Sequence, residues 1–304
     1  MKPIEILIAP PFLKKGDKIA IIGLASKLAK EDIDQAVNIL EKDWGLEVII
    51  GESIGAVYHG FSGDDELRRR NFQEMLDNSA IKAIFSARGG YGSAKIIDNI
   101  NWKNFKKSPK WVIGFSDITA VIGKINRLGY QAIHGPMPKT MTKDEFSTNS
   151  LKNILFGEKT HYKVESTSSF NKQGKTKGQF VGGNLCLIAN QIGTKSALNT
   201  TGKILFLEDI GEYYYSLDRM LVHLKRAGLL THLAGLVVGQ FSDCKEDAES
   251  FGKTIYEIVS ELTAEYNYPI CFDFPFGHEC KNYPITMGQC GTLFVTDKDI
   301  EIEF

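Results

Sequence analysis

Between residues 17 and 129 the chain alternates short apolar runs with longer amphipathic stretches, and its later runs end in glycine-bearing turns. Lys18-Ile19-Ala20-Ile21-Ile22-Gly23 is followed by Ile33, Ala36, Val37 and Leu40 at helical spacing, then by a second strand from Leu46 to Ile50. That order is a βαβ unit. A helix near 64 to 77 turns Leu67, Phe72, Met75 and Leu76 inward, and its Arg68-Arg69-Arg70 run reads as a solvated face. Ile81 to Phe85 leads into Arg88-Gly89-Gly90-Tyr91-Gly92 and a helix from Ser93. Trp111 to Gly114 leads into Phe115-Ser116-Asp117 and a helix through Leu128, stopped by Gly129. Strands and helices alternating in this way predict an α/β domain with a doubly wound parallel sheet, Rossmann- or flavodoxin-like. Its ligands bind beyond the carboxyl ends of the strands, where both glycine turns fall.

The pattern changes in the polar stretch from 157 to 178, rich in Ser, Thr and Lys. Beyond it come short strand-like runs, Lys203 to Leu207, Gly235 to Gly239 and Thr292 to Val295, with helices near 216 to 227 and 251 to 264. The expected organisation is an N-terminal α/β domain over 1–160, a linker over 161–177 and a smaller β-rich domain over 178–304. A length of 304 residues accommodates both. Thirty-six basic against 37 acidic residues give a net charge of -1, too balanced to hold a nucleic acid by its phosphates. The five cysteines, at 186, 244, 271, 280 and 290, form neither a disulfide framework nor a zinc pattern, and read as reduced thiols. The N-terminal apolar stretch is broken by Glu5 and by Pro10 and Pro11, and no run reaches the roughly 18 residues that span a bilayer. A soluble cytoplasmic protein with no membrane partner is expected.

Ser116 stands on a strand-to-helix turn, where a hydroxyl is exposed and the next backbone N–H can face a developing oxyanion. Ile118 occupies the place of the second glycine in the hydrolase elbow, and a helix N-cap is the simpler role for such a serine. The 88 to 92 turn suits a phosphate, a carboxylate or an oxyanion, or no ligand at all; neither dinucleotide nor Walker spacing fits it, since Lys95 replaces the last glycine. Of six histidines, His59, His161, His223 and His232 read as surface residues, and His134 follows a strand-like segment as a reserve candidate. His278 lies in the rigid turn Phe274-Pro275-Phe276-Gly277-His278-Glu279, and Glu208 ends the apolar strand Ile204 to Leu207. Each of these two also has an ordinary structural reading.

Taken together, the motifs resemble the LD-carboxypeptidase family of serine peptidases, which includes murein tetrapeptide carboxypeptidases and microcin C immunity proteins. The resemblance runs from Gly16-Asp17 to about Gly288. It rests on Arg88 to Gly92, on Gly114-Phe115-Ser116-Asp117-Ile118-Thr119, and on Gly182-Gly183-Asn184-Leu185. Further on come Glu208-Asp209-Ile210-Gly211 with Asp218-Arg219, and Gly277-His278 with Pro284 and Gly288. It implies a triad of Ser116 as nucleophile, His278 as general base and Glu208 as its orienting carboxylate, divided between the two domains. It also implies an oxyanion hole from the N–H groups of Asp117 and of a glycine in the first turn, assigned to Gly90. No metal or other cofactor is needed, and a homodimer is expected.

The expected substrate is a small peptide, murein tetrapeptide, cleaved at the L,D bond before its terminal D-alanine. A microcin-type relative instead cleaves an amide in a peptidyl-nucleotide, which calls for an aromatic platform under the base. Trp44, Trp102 and Trp111 all lie in the N-terminal part and read as packing residues, and none lies between Gly183 and Glu208. That absence favours murein. A non-catalytic module binding a small anion, with Ser116 as a cap and His278 structural, is the competing reading from another class.

Overall fold

A computed structural model of the chain describes residues 6–166 and 168–304. Two compact units are present, one spanning Leu7–Lys159 with Tyr283–Thr286, the other built from Thr160–Asn282 and Met287–Phe304.

In the first unit, β1 (Lys18–Ile22), β2 (Glu47–Ile50), β3 (Ile81–Ser86), β4 (Trp111–Gly114) and β5 (Ala132–His134) form a sheet in the order β5-β4-β3-β1-β2. Each neighbouring pair is parallel. A short strand from late in the chain, β11 (Ile285–Met287), flanks β5. The apolar runs are apolar because both faces of the sheet are covered: Ile19, Ala20, Ile21 and Ile22 are all fully buried. The strand order reverses between β1 and β3, and in sheets of this kind ligands bind at the carboxyl ends of the strands beside such a reversal. Trp44, Trp102 and Trp111 are core residues of this unit.

The helix Asp65–Asp77 starts on a cap in which the Asp64 carboxylate accepts the Leu67 N–H at 2.7 Å. Its inner face corrects the sequence reading. Arg68 is fully buried with Asn71, Phe72 and Leu76, whereas Leu67 and Met75 are half-buried. Arg69 and Arg70 do face solvent, paired with Glu66 and Glu52.

The second unit carries a mixed sheet of β6 (His161–Glu165), β7 (Gly174–Asn184), β8 (Lys203–Ile210), β9 (Gly235–Ser242), β10 (Ile270–Cys271), β12 (Cys290–Val295) and β13 (Asp299–Glu303), ordered β10-β9-β8-β7-β12-β13-β6. β7 joins its two halves. Gly174–Gln179 pairs antiparallel with β12, and Gln179–Asn184 pairs parallel with β8. On the parallel half, Leu217, Leu221, Leu224, Ile258 and Val259 pack over Val181, Leu205, Leu207 and Val238. The expected linker over 161–177 is not a free connection, because β6 pairs with β13 from Glu165↔Asp299 to His161↔Glu303 and β7 begins at Gly174. Tyr162 and Val164 point inward while polar neighbours alternate with them, the signature of an edge strand in polar dress. All five cysteines are free thiols. Among the described residues, no helix is long and apolar enough to cross a membrane.

Candidate active site

β4 runs into Phe115 in extended conformation, and Ser116 then turns into the left-handed region at φ +62°. A non-glycine residue there is strained, and a capping serine adopts extended backbone instead. No side-chain capping bond is made at the start of the Thr119–Arg127 helix either, so Ser116 does not serve as the cap. Ile118 is admitted by a glycine on the other side of the serine. A Cβ at Gly114 would lie 2.8 Å from Ile118 Cγ2, so this elbow places its small residue two positions before the serine rather than two after it.

The glycine turn after β3 is fitted to this elbow. A Cβ at Gly89 would come within 2.9 Å of Ser116 Cβ and 3.1 Å of its Oγ, so only glycine allows the approach. The next amide belongs to Gly90, at φ +113°, where a Cβ would meet Ser26 Oγ at 2.0 Å. From Tyr91 onward the amides are engaged: Tyr91 N–H donates to Ser26 Oγ at 3.4 Å, Gly92 N–H to Asp117 Oδ1 at 3.2 Å and Ser93 N–H to Asp117 Oδ2 at 2.8 Å. Ser93 Oγ also donates to the Asp117 carbonyl at 2.7 Å. Asp117 is fully buried, and burial pushes its carboxyl above the usual range against these hydrogen bonds, which favour the charge. Thus Ser116, Asp117 and Gly90 are neighbours in one unit.

In the second unit His278 and Glu208 are joined. His278 Nδ1 lies 2.7 Å from Glu208 Oε2, with the carboxylate fully buried and the imidazole 13% exposed. A carboxylate only accepts, so Nδ1 carries the proton and Nε2 is the basic nitrogen. A bulge sets this up. Register slips where Leu207↔Val238 gives way to Asp209↔Phe241, placing Gly239 and Gln240 opposite Glu208. The Gln240 N–H then donates to the Phe276 carbonyl at 2.9 Å, which seats the histidine turn on β9. Gly277, at φ +140°, sits where a Cβ would lie 3.2 Å from Glu208 Oε2.

Asp209 takes the opposite face of the same strand. Its carboxylate accepts from Asn184 Nδ2 at 2.8 Å and from the Cys186 N–H at 2.9 Å, and Asn184 caps the Leu185–Gln191 helix. The two motifs that contain them are therefore one structural joint. Burial and the adjacent Glu208 push the Asp209 carboxyl up to about 7.

The remaining histidines differ in setting. His134 is fully buried in β5 against Phe115, and His59, His161, His223 and His232 are exposed. Three residues of these clusters carried no such role in the sequence reading: Ser26, Asp209 and Arg68. Helical spacing offered a signal for the last, since positions 68, 72 and 76 share a face. Among the described residues, no group of three or more His, Cys, Asp or Glu is placed to hold a metal ion.

With this geometry in view, comparison with known proteins defines the class. Residues 19–135 match the LD-carboxypeptidase N-terminal domain and residues 177–293 the LD-carboxypeptidase C-terminal domain. The chain belongs to the LD-carboxypeptidase family and is a peptide hydrolase. Among its relatives, a probable murein peptide carboxypeptidase of Bacillus subtilis is 31% identical over 300 residues, 97% of this chain and 94% of that one. The murein tetrapeptide carboxypeptidase of Pseudomonas aeruginosa is 30% identical, covering 91% and 92%. The crystal structure of a muramoyltetrapeptide carboxypeptidase from Oxalobacter formigenes has a TM-score of 0.85 at 28% identity, over 94% of this chain and 98% of that one. The microcin C7 self-immunity protein MccF has a TM-score of 0.86 at 21% identity, over 98% of each chain, a likeness of fold.

Proposed function

We propose that the protein is a serine LD-carboxypeptidase that releases the terminal D-alanine of murein tetrapeptide, with Ser116 as nucleophile, His278 as general base and Glu208 as orienting carboxylate. The observation that carries this reading is the strained left-handed Ser116 turn, built against a glycine where a cap would have relaxed. In the reaction, His278 Nε2 takes the Ser116 proton as Oγ attacks the carbonyl of the L,D bond. The carbonyl oxygen gains negative charge, which the N–H groups of Asp117 and Gly90 stabilise. Collapse of the tetrahedral intermediate returns the proton to the leaving amine, D-alanine departs, and water attacks the acyl-serine by the same route. Glu208 holds the imidazole tautomer and stabilises the imidazolium.

Murein as substrate is supported by the likeness to a probable murein peptide carboxypeptidase and a murein tetrapeptide carboxypeptidase, at 30–31% identity over nine-tenths or more of the chain. The same reading includes a homodimer acting in the cytoplasm, without metal ion, nucleotide or other cofactor. Mass spectrometry of murein tetrapeptide after incubation with the protein tests it: loss of one D-alanine, undiminished by EDTA, is expected. Intact tetrapeptide beside a cleaved aminoacyl-nucleotide overturns the substrate and leaves the nucleophile standing.

A further inference from the structure

Arg68 is a fully buried guanidinium whose hydrogen bonds go mainly to backbone carbonyls at the carboxyl end of the sheet. Nη1 donates to Leu24 O at 2.8 Å and to Gly92 O at 3.0 Å, Nε donates to Gly63 O at 3.3 Å, and Nη2 pairs with the Asp65 carboxylate. One side chain thereby ties the turn after β1, the turn after β3 and the start of the Asp65–Asp77 helix. Burying a guanidinium is costly, and an apolar residue facing Phe72 and Leu76 would fill the core more cheaply. The Gly92 peptide units explain what the charge accomplishes. The Gly92 carbonyl is held by Arg68 and its N–H by the Asp117 carboxylate, from the two sides of a residue at φ +139°. A Cβ at Gly92 would lie 2.5 Å from Arg68 Nη1, so no other residue fits this clamp.

We propose that Arg68 and the Asp117 carboxylate are positioning residues for catalysis: by gripping Gly92 from both sides they fix the turn that presents the Gly90 N–H beside Ser116. This rests on the serine-peptidase reading above. An oxyanion donor acts only when aimed where charge develops, and aim is what a doubly held peptide supplies. Lysine cannot replace the arginine, because a single ammonium does not span three carbonyls and a carboxylate with a fixed fork.

Arg68→Lys and Asp117→Asn test the clamp through steady-state D-alanine release from murein tetrapeptide, with circular dichroism to establish folding and Arg70→Ala as an exposed control. For folded Arg68→Lys, kcat is expected to fall about 10- to 100-fold while KM stays within about three-fold, since the loss is confined to the transition state. Asp117→Asn is expected to move in the same direction, and Arg70→Ala to stay within about two-fold of wild type. Should Arg68→Lys fail to fold, Asp117→Asn decides. A folded variant with wild-type kcat, or one whose loss falls wholly on KM, overturns the clamp. A wild type that releases no D-alanine overturns the proposed function and the clamp together, whereas an active wild type with unaffected variants sinks the clamp alone.

Discussion

Glu208 presents one buried carboxylate oxygen to one imidazole nitrogen at 2.7 Å, and the whole case for an activated base depends on that contact. Glu208→Gln keeps the shape and removes the charge that fixes the tautomer. In the proposed triad this lowers kcat by about 10³- to 10⁴-fold with little change in KM, measured by D-alanine release. A loss of less than about ten-fold means that Glu208 does not orient the base. Gly277→Ala tests the turn that delivers His278. It places a side chain at φ +140° and 3.2 Å from Glu208 Oε2, so a loss of about 1–3 kcal/mol in denaturant melts and a sharp drop in activity are expected. An unchanged midpoint with full activity contradicts the crowding described for that position. Ser116, Glu208 and His278 stand out as candidates in the sequence because each ends an apolar run or sits in a Gly- or Pro-bounded turn, and because the motifs occur in order; the burial of Arg68 did not. Three consecutive arginines look like a solvated surface until the helix phase puts one of them beside Phe72 and Leu76.

At the scale of elements, the turns matter more than the strands that hold them. The parallel sheet followed from alternation of apolar runs and helices, whereas β6 was hidden by its lysine, histidine and glutamate, which face outward on an edge. Likewise the joint between β7 and β8, where Asn184 meets Asp209, has no sequence periodicity of its own, because a bulge shifts the register beside it. This joint has a pH signature. Burial and Glu208 raise the Asp209 carboxyl from its ordinary 3.8 to about 7 in the fold, so the folded state binds more protons than the unfolded state between those values. The associated stability is fully present below pH 4 and is lost as pH rises through about 7. Thermal melts from pH 4 to 8 are expected to show this decline in the wild type and a shallower one in Asp209→Asn. Parallel profiles for the two proteins contradict the assignment.

At the scale of the molecule, family membership extends over both units, and the proposed chemistry divides its parts between them: the nucleophile and oxyanion donors in the first, the base and its carboxylate in the second. Composition and charge bear on the class of partner expected and locate none of these groups. The motif order singled out the candidates proposed for these roles, and the backbone explains why glycine stands at 89, 114 and 277 beside them. The central claim is that Ser116 makes the bond that breaks the peptide. The most direct measurement is the turnover of murein tetrapeptide by Ser116→Ala, with peptide affinity and melting temperature measured on the same preparation. Binding and melting are expected close to wild type with D-alanine release lost by at least about 10³-fold, because only the transition-state step is removed. D-alanine release within a few-fold of wild type in that variant contradicts it.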